Sequence, residues 1–93
     1  MKYIEWDEEK NRKLKRERGV SFEQAVGAIL AGTVLGKIDH PNQKRYPGQK
    51  IYVIEIEEYA FVIPYIEDEK KIFLKTMFPN RKYTKQFIEK GGE

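Results

Sequence analysis

A succession of four strand-like segments between residues 34 and 78 constrains the fold of this 93-residue chain more than any other feature. The segments are rich in β-branched and aromatic residues, which favour strands. They cover residues 34–39, 50–56, 59–66 and 70–78. Only Glu57-Glu58 separates the second from the third, and only residues 67–69 separate the third from the fourth. Such short polar connections predict an antiparallel meander.

Two helices are predicted ahead of this meander, after a short strand over residues 2–6. The first helix starts with acidic residues 7–9, becomes basic towards Arg18 and ends at Gly19, an order that suits its dipole and a glycine cap. The second opens with Ser21 and Gln24, the S-x-x-Q pattern of a capping box. Its apolar residues recur at helical spacing and predict a stripe buried against the sheet together with Trp6. The stripe consists of Phe22, Ala25, Val26, Ile29 and Leu30.

A final helix over residues 81–90 is predicted to follow the N-cap Asn80, and residues 91–93 form a frayed tail. The whole pattern predicts an α+β fold in the order βααββββα, with an antiparallel sheet and helices packed on one face. We found no internal repeat or linker, so residues 1–93 are expected to form a single domain.

Charge is segregated along the chain. Residues 55–69 carry six acids and no base, whereas residues 70–90 carry seven bases and one acid, within a net charge of +3. The basic block creates an electric field that can attract an anionic polymer. A solvated surface rich in lysine would explain the same charge pattern without a partner.

Several chemical classes are disfavoured by what the sequence lacks. There is no cysteine, one histidine, no glycine-rich phosphate loop, no G-x-S-x-G and no zinc-finger spacing, so we expect no metal and no cofactor. No apolar run approaches the ~20 residues of a membrane span, and no apolar signal core is seen near residue 1. We therefore expect a cytoplasmic protein without a membrane partner.

Two segments resemble the BrnT family of bacterial type II toxins, whose fold is similar to that of RelE toxins. The first is Ile4-Glu5-Trp6-Asp7-Glu8-Glu9-Lys10, followed by Leu14, and the second is Gly19-Val20-Ser21-Phe22-Glu23-Gln24-Ala25. The family commonly carries Ser-Ala-Arg-x-Ala-Thr before its final segment. The corresponding residues here are Pro79-Asn80-Arg81-Lys82-Tyr83-Thr84, of which Arg81 and Thr84 match.

The resemblance implies a RelE-like ribonuclease that cleaves RNA and inhibits translation. Its implied partners are RNA, a cognate antitoxin protein and the ribosome, while its oligomeric state stays open. A non-catalytic RNA-binding or protein-binding module of the same fold is the alternative. The resemblance nominates Arg81 as a catalytic residue and Thr84 as an RNA contact.

Cleavage of RNA without a metal requires a group that accepts the 2′-hydroxyl proton, groups that stabilise charge on the phosphate, and a proton for the leaving oxygen. Arg81 suits the phosphate, because its planar guanidinium matches phosphate oxygens. Lys75 and Tyr65 are further candidates on neighbouring strands, where aromatic residues can stack on bases. His40 is the single histidine and lies at the start of a basic loop.

The remaining basic residues are predicted to bind the RNA backbone. These are Lys44, Arg45, Lys50, Lys82 and Lys85. We expect Lys75 and the basic residues of the final helix to form one positive surface with Lys44 or Lys50.

Overall fold

A six-stranded mixed sheet organises residues 2–89, the part of the chain that the computed structural model describes. The predicted frayed tail, residues 91–93, lies outside this part. The described residues also form three helices. The elements in chain order are β1 (Tyr3–Trp6), α1 (Glu8–Arg18), α2 (Phe22–Ala31), β2 (Gly36–Asp39), β3 (Lys50–Ile56), β4 (Tyr59–Glu67), β5 (Lys71–Leu74), β6 (Phe78–Pro79) and α3 (Arg81–Phe87).

The strand order is β1-β5-β4-β3-β2, and β6 also pairs with β4. The predicted meander is present, since β2, β3, β4 and β5 pair antiparallel in succession. The expectation of a wholly antiparallel sheet is wrong, because β1 runs parallel to β5. A hairpin turn forces antiparallel pairing, whereas the long chain between β1 and β5 leaves their relative direction free.

Helix caps follow the sequence closely. The capping box is confirmed: Gln24 N–H donates to Ser21 Oγ at 3.4 Å, and Ser21 N–H donates to Gln24 Oε1 at 2.9 Å. Asn80 Oδ1 accepts from Tyr83 N–H at 3.0 Å, so Asn80 is the N-cap of α3 as predicted. Gly19 and Gly32 end α1 and α2 with φ of 70° and 72°, values that glycine adopts without strain.

The first face of the sheet is covered by α1 and α2. Leu14 of α1 and Phe22 and Ala25 of α2 belong to one buried cluster with side chains from three strands. The strand residues are Tyr52, Ile54, Ile63, Tyr65, Ile72 and Leu74. Trp6 borders this cluster and stacks on Phe22 with ring centroids 5.9 Å apart.

The second face carries α3, so the helices do not all lie on one side as the sequence suggested. Tyr83 is buried with Ile51, Val53, Ala60 and Val62, which alternate along β3 and β4 with residues of the first face. The ring of Phe87 lies over Gly36, where an added Cβ would meet a ring carbon at 3.0 Å. β3 and β4 are therefore buried on both faces, with α1 and α2 on the first and α3 on the second.

The predicted burial of Leu30 is wrong: its side chain is 71% exposed. At about 100° per residue, Leu30 lies ~80° round the helix from Phe22, whereas Val26 and Ile29 lie within ~40° of it. The buried stripe is therefore narrower than the sequence suggested.

Asn11 is a buried polar side chain that joins α1 to the start of α2. Its Oδ1 accepts from Phe22 N–H at 2.8 Å, and its Nδ2 donates to Glu23 Oε1 at 2.8 Å. The first bond satisfies an N–H that the helix cannot pair internally. The second lowers the pKa of the Glu23 carboxyl. Asn11 thus fixes how the two helices meet.

Replacement of Asn11 by alanine should lower the free energy of unfolding by about 1–3 kcal/mol, because Phe22 N–H would stay buried without an acceptor. Urea unfolding would measure the loss. The matched control is Arg12→Ala on the same helix, where an exposed side chain should change stability by less than about 0.5 kcal/mol. Equal stability of the wild type and the Asn11 variant would contradict the role of this bond.

Candidate functional site

A cleft of about 410 Å³ opens between the loop over residues 40–49 and the chain that follows β5. We call it the His40 cleft. Pro64 and Phe78, which point to the second face, form part of its wall. The lining residues are Lys10, His40, Tyr46, Gln49, Pro64, Lys75, Thr76 and Phe78. Two of the four predicted catalytic residues, His40 and Lys75, therefore share one cleft.

The loop over residues 40–49 is held by its own hydrogen bonds. His40 N–H donates to Gln49 O at 3.0 Å, which closes the loop at its base. Gln43 Nε2 donates to His40 O at 2.8 Å and to Gln49 O at 3.0 Å, while Gln43 Oε1 accepts from Gly48 N–H at 3.1 Å. A single glutamine side chain thus ties both ends of the loop and fixes the positions of its aromatic residues.

Within this loop the imidazole of His40 has a defined orientation. Its Nδ1 accepts a hydrogen bond from Asn42 N–H at 3.0 Å, and its ring lies against Tyr46 with centroids 4.5 Å apart. Since Nδ1 is an acceptor, the proton of the neutral ring is on Nε2. His40 can therefore donate from Nε2, but a second proton on the ring would displace the Asn42 bond.

A β-bulge positions Lys75 on the other side of the cleft. Leu74 pairs with Tyr65 and Phe78 with Val62, so three residues, 75–77, oppose two in β4. Because of this extra residue Met77 is buried on the first face and Phe78 packs on the second, and the strand predicted over residues 70–78 is divided into β5 and β6.

The bulge lies opposite Pro64, which has no N–H for a ladder bond but accepts from Lys75 N–H at 2.8 Å. The proline therefore stays within β4, and the irregularity lies in residues 75–77 of the neighbouring strand segment.

The charge of the cleft comes from two lysines. Lys10 Nζ donates to Lys75 O at 3.1 Å, and Lys75 Nζ lies 5.9 Å from the centroid of the Phe73 ring. The ion pairs within residues 2–89 involve Lys2, Lys15 and Lys71, and neither Lys10 nor Lys75 takes part in one. None of the residues that line the cleft is acidic. A neighbouring depression along α1 shares Lys10 and adds Lys13, Glu17 and Arg18. The cleft is thus a positively charged site.

Two predicted site residues are buried away from any ligand. Tyr65 is 0% exposed on the first face and is stacked on Tyr52 with centroids 4.1 Å apart. Its hydroxyl has no hydrogen-bond partner within residues 2–89. Thr84 is 2% exposed; its hydroxyl donates to Asn80 O at 2.8 Å and accepts from Ala60 N–H at 2.9 Å. Both side chains stabilise the fold, and neither can contact RNA in this structure.

The basic residues that were expected to form one positive surface do not all line the His40 cleft. Arg81, Lys82 and Lys85 are exposed on α3, outside the lining of the His40 cleft. Lys50 lies in a separate cleft with Lys2 and the acidic residues 67–69. Lys44 and Arg45 are exposed on the loop beside the His40 cleft, and the Arg45 guanidinium lies 5.6 Å from the Tyr46 ring. Lys75 therefore shares its site with α1 and the loop rather than with α3.

Sequence reasoning missed Lys10, Tyr46 and Thr76 as lining residues. Lys10 belongs to the resemblance to BrnT toxins, but its position on a helix of mixed charge gave no reason to connect it with Lys75, 65 residues away. The combination of tyrosine, arginine and histidine in a loop of residues 40–49 was the one signal that pointed to Tyr46.

Comparison of the chain with protein-family models, with curated proteins and with solved structures found no significant match. The similarity to BrnT toxins therefore stays a prediction based on the residues quoted above. None of the helices in residues 2–89 is long and apolar enough to cross a membrane. The same residues contain no group of three or more His, Asp or Glu side chains arranged to hold a metal ion.

The buried hydroxyl of Tyr65 makes a pH-dependent prediction. Burial raises the pKa of Tyr65 above the ordinary value of 10.0, and the nearby Tyr52 and Glu67 act in the same direction. The stability that its neutral form contributes is present below about pH 10 and is lost as the pH rises further, because the unfolded chain ionises first. Urea unfolding between pH 8 and 11 should show a smaller alkaline loss in Tyr65→Phe than in the wild type.

At neutral pH the same variant should be at least as stable as the wild type, since it removes an unpaired buried hydroxyl. A variant that loses stability at neutral pH, or the same alkaline loss in both proteins, would contradict this assignment.

Proposed function

We propose that the protein binds single-stranded RNA at the His40 cleft and cleaves it without a metal, as a toxin-like endoribonuclease of a type II toxin–antitoxin system. One observation carries the proposal: an oriented imidazole N–H lines the same cleft as two lysines that form no ion pair within residues 2–89. Such a set of donors is suited to a phosphodiester, whose charge increases during cleavage.

The electrostatics of the cleft favour a phosphate over a neutral ligand. Lys10 and Lys75 approach from opposite chain segments, and no lining residue is acidic. Lys44 and Arg45 extend from the adjoining loop, and Lys13 and Arg18 continue the positive charge along α1. A flexible polyanion can contact these segments together, whereas an isolated phosphate cannot. The arrangement therefore supports a nucleic-acid ligand.

The proposed reaction uses the 2′-hydroxyl of RNA as its nucleophile. The 2′-oxygen attacks phosphorus and gives its proton to a water molecule, which is the proton acceptor of this step. The bond from phosphorus to the 5′-oxygen breaks, and the products are a 2′,3′-cyclic phosphate and a 5′-hydroxyl. Lys10 and Nε2–H of His40 would stabilise the phosphate oxygens. The ammonium of Lys75 would give a proton to the leaving 5′-oxygen and then regain one from water.

Arg81 would hold a neighbouring part of the chain rather than the reacting phosphate. Asn80 N–H bonds to Ala60 O, and Lys75 N–H bonds to Pro64 O, four residues further along β4. At about 3.3 Å per residue, these backbone positions are ~13 Å apart. A single strand that fills the cleft and continues towards α3 would bring another phosphate near Arg81.

The toxin assignment is supported by the residues that resemble BrnT and by an α+β fold with a strand followed by two helices and a meander. Under this proposal the RelE-like arrangement acts on messenger RNA and inhibits translation, with the ribosome as a partner. The cognate antitoxin would neutralise the protein by covering the His40 cleft. The protein would act in the cytoplasm.

Lys75→Ala should lower the rate of cleavage of a single-stranded RNA by roughly two to three powers of ten, as for other groups that donate a proton in the transition state. Lys75→Arg should retain binding but recover little of the rate, because a guanidinium does not give up its proton. Arg81→Ala should weaken binding more than it lowers the rate. The measurement is single-turnover cleavage of a labelled oligonucleotide in EDTA, with and without ribosomes.

Lys15→Ala is the matched control, since Lys15 lies on α1 and is paired with Glu23 at 3.6 Å, outside the cleft. It should cleave as the wild type does. Cleavage by Lys75→Ala at the wild-type rate would refute the proposed site. If the wild type binds RNA but never cleaves it, the protein is a non-catalytic RNA-binding module. The burial of Tyr65 and the separation of Arg81 from the His40 cleft also favour this alternative.

A further inference from the structure

The second face of the sheet is only partly covered. α3 packs over Val53, Ala60 and Val62, near the β3–β4 turn. Towards β1 and β5 the same face is open to solvent: Tyr3 is 72% exposed and Ile66 is 44% exposed. Their neighbours along each strand, Ile4 and Tyr65, point to the first face, so both exposed side chains lie on the second.

The strand register brings the apolar side chains of this open area together. Ile66 of β4 is directly opposite Phe73 of β5, a relation that places Cβ atoms about 4.5–5.5 Å apart. On the other side of β5, Tyr3 is opposite Lys71 and therefore diagonal to Phe73. We call Tyr3, Ile66 and Phe73 the open-face patch. Two aromatic rings on adjacent strands lie at its centre.

The charges around the open-face patch connect it with the His40 cleft. Lys75 lines the cleft and also lies over the ring of Phe73, 5.9 Å from its centroid. Lys71 pairs with Glu5 at 3.3 Å, so that part of the border is close to neutral. The free positive charge of the patch is therefore on the side that adjoins the cleft.

We infer that the open-face patch is a platform on which unpaired RNA bases stack next to the phosphate held in the His40 cleft. The inference rests on the proposed function and specifies the form of its substrate. Aromatic side chains on adjacent strands of an open sheet are suited to stacking on successive bases. Lys75 joins the two sites, since its ammonium can move from the Phe73 ring to a phosphate when a base takes its place on the ring.

This geometry selects single strands. Bases in a duplex are stacked on each other and paired, so their faces do not reach an external ring, whereas a loop or an unstructured segment presents them. Stacking also accepts every base, because each has a π face. The platform thus predicts a preference for unpaired RNA with little discrimination among base sequences.

The test uses a short single-stranded oligonucleotide that is 2′-O-methylated throughout, so that it cannot be cleaved, and contains one 2-aminopurine. Binding to the wild type should change the fluorescence of this base analogue. Phe73→Ala should abolish the change and weaken binding about fivefold to a hundredfold. Phe73→Leu keeps an apolar side chain in the sheet and should also abolish the change, whereas Tyr3→Ala should reduce it.

Tyr59→Ala is the matched control, because Tyr59 is an exposed aromatic residue on β4 at the far end of the sheet. It should bind as the wild type does. Wild-type affinity and fluorescence in both Phe73 variants would overturn the platform. An equal loss of affinity of the Phe73 variants for double-stranded RNA would also overturn it. If these variants change the oligomeric state and leave RNA binding unchanged, the patch is a protein interface instead.

Failure of the platform and failure of the enzyme can be told apart. Cleavage of unmodified RNA by the wild type and by Phe73→Ala at equal rates would remove the platform and leave the proposed function intact. A fluorescence change that depends on Phe73, without cleavage of unmodified RNA, would remove the enzyme and leave the platform intact.

Discussion

The pairing of β3 with β4 is the constraint on which the rest of the structure depends. Seven residue pairs connect the two strands, from Lys50 opposite Tyr65 to Ile56 opposite Tyr59. The turn between them has only two residues, both with positive φ, as in a type I′ hairpin that follows the twist of the strands. Along this strand pair, successive apolar side chains point to opposite faces of the sheet, so both faces must be covered to remove these side chains from water. The chain meets this requirement with α1 and α2 on one side and α3 on the other.

The candidate site exists because α3 covers only part of the second face of the sheet. A helix of seven residues covers the hairpin end of the second face and leaves the other end open. The loop over residues 40–49 and the bulge at residues 75–77 enclose that end from two sides. The resulting cleft combines positive charge with an adjoining apolar surface. Both are properties that a single strand of RNA can use, since its phosphates and its bases require different contacts.

Local signals predicted the elements of this fold better than their arrangement. Capping residues such as Ser21 and Asn80 act within one helical turn, so the sequence predicted the starts of α2 and α3. The parallel direction of β1 and the placement of α3 depend on contacts between distant segments, which a pattern of periodicity does not contain. The bulge beside Lys75 depends on Pro64 in another strand. For the same reason the sequence suggested His40 and Lys75 separately, and it did not suggest Lys10, which lines the same cleft and donates to Lys75 O.

Mapping of backbone amide shifts in a titration with a non-cleavable single-stranded RNA would test most directly whether RNA binds at the His40 cleft. A ¹⁵N-labelled protein reports the chemical shifts of its backbone amides in one spectrum, so the RNA-binding surface is identified without a substitution. We expect the largest shifts at His40, Tyr46, Lys75 and Thr76, with none at Leu30 on the opposite face. Shifts confined to α2, or a spectrum that RNA leaves unchanged at physiological salt, would contradict the proposal that this cleft is a nucleic-acid site.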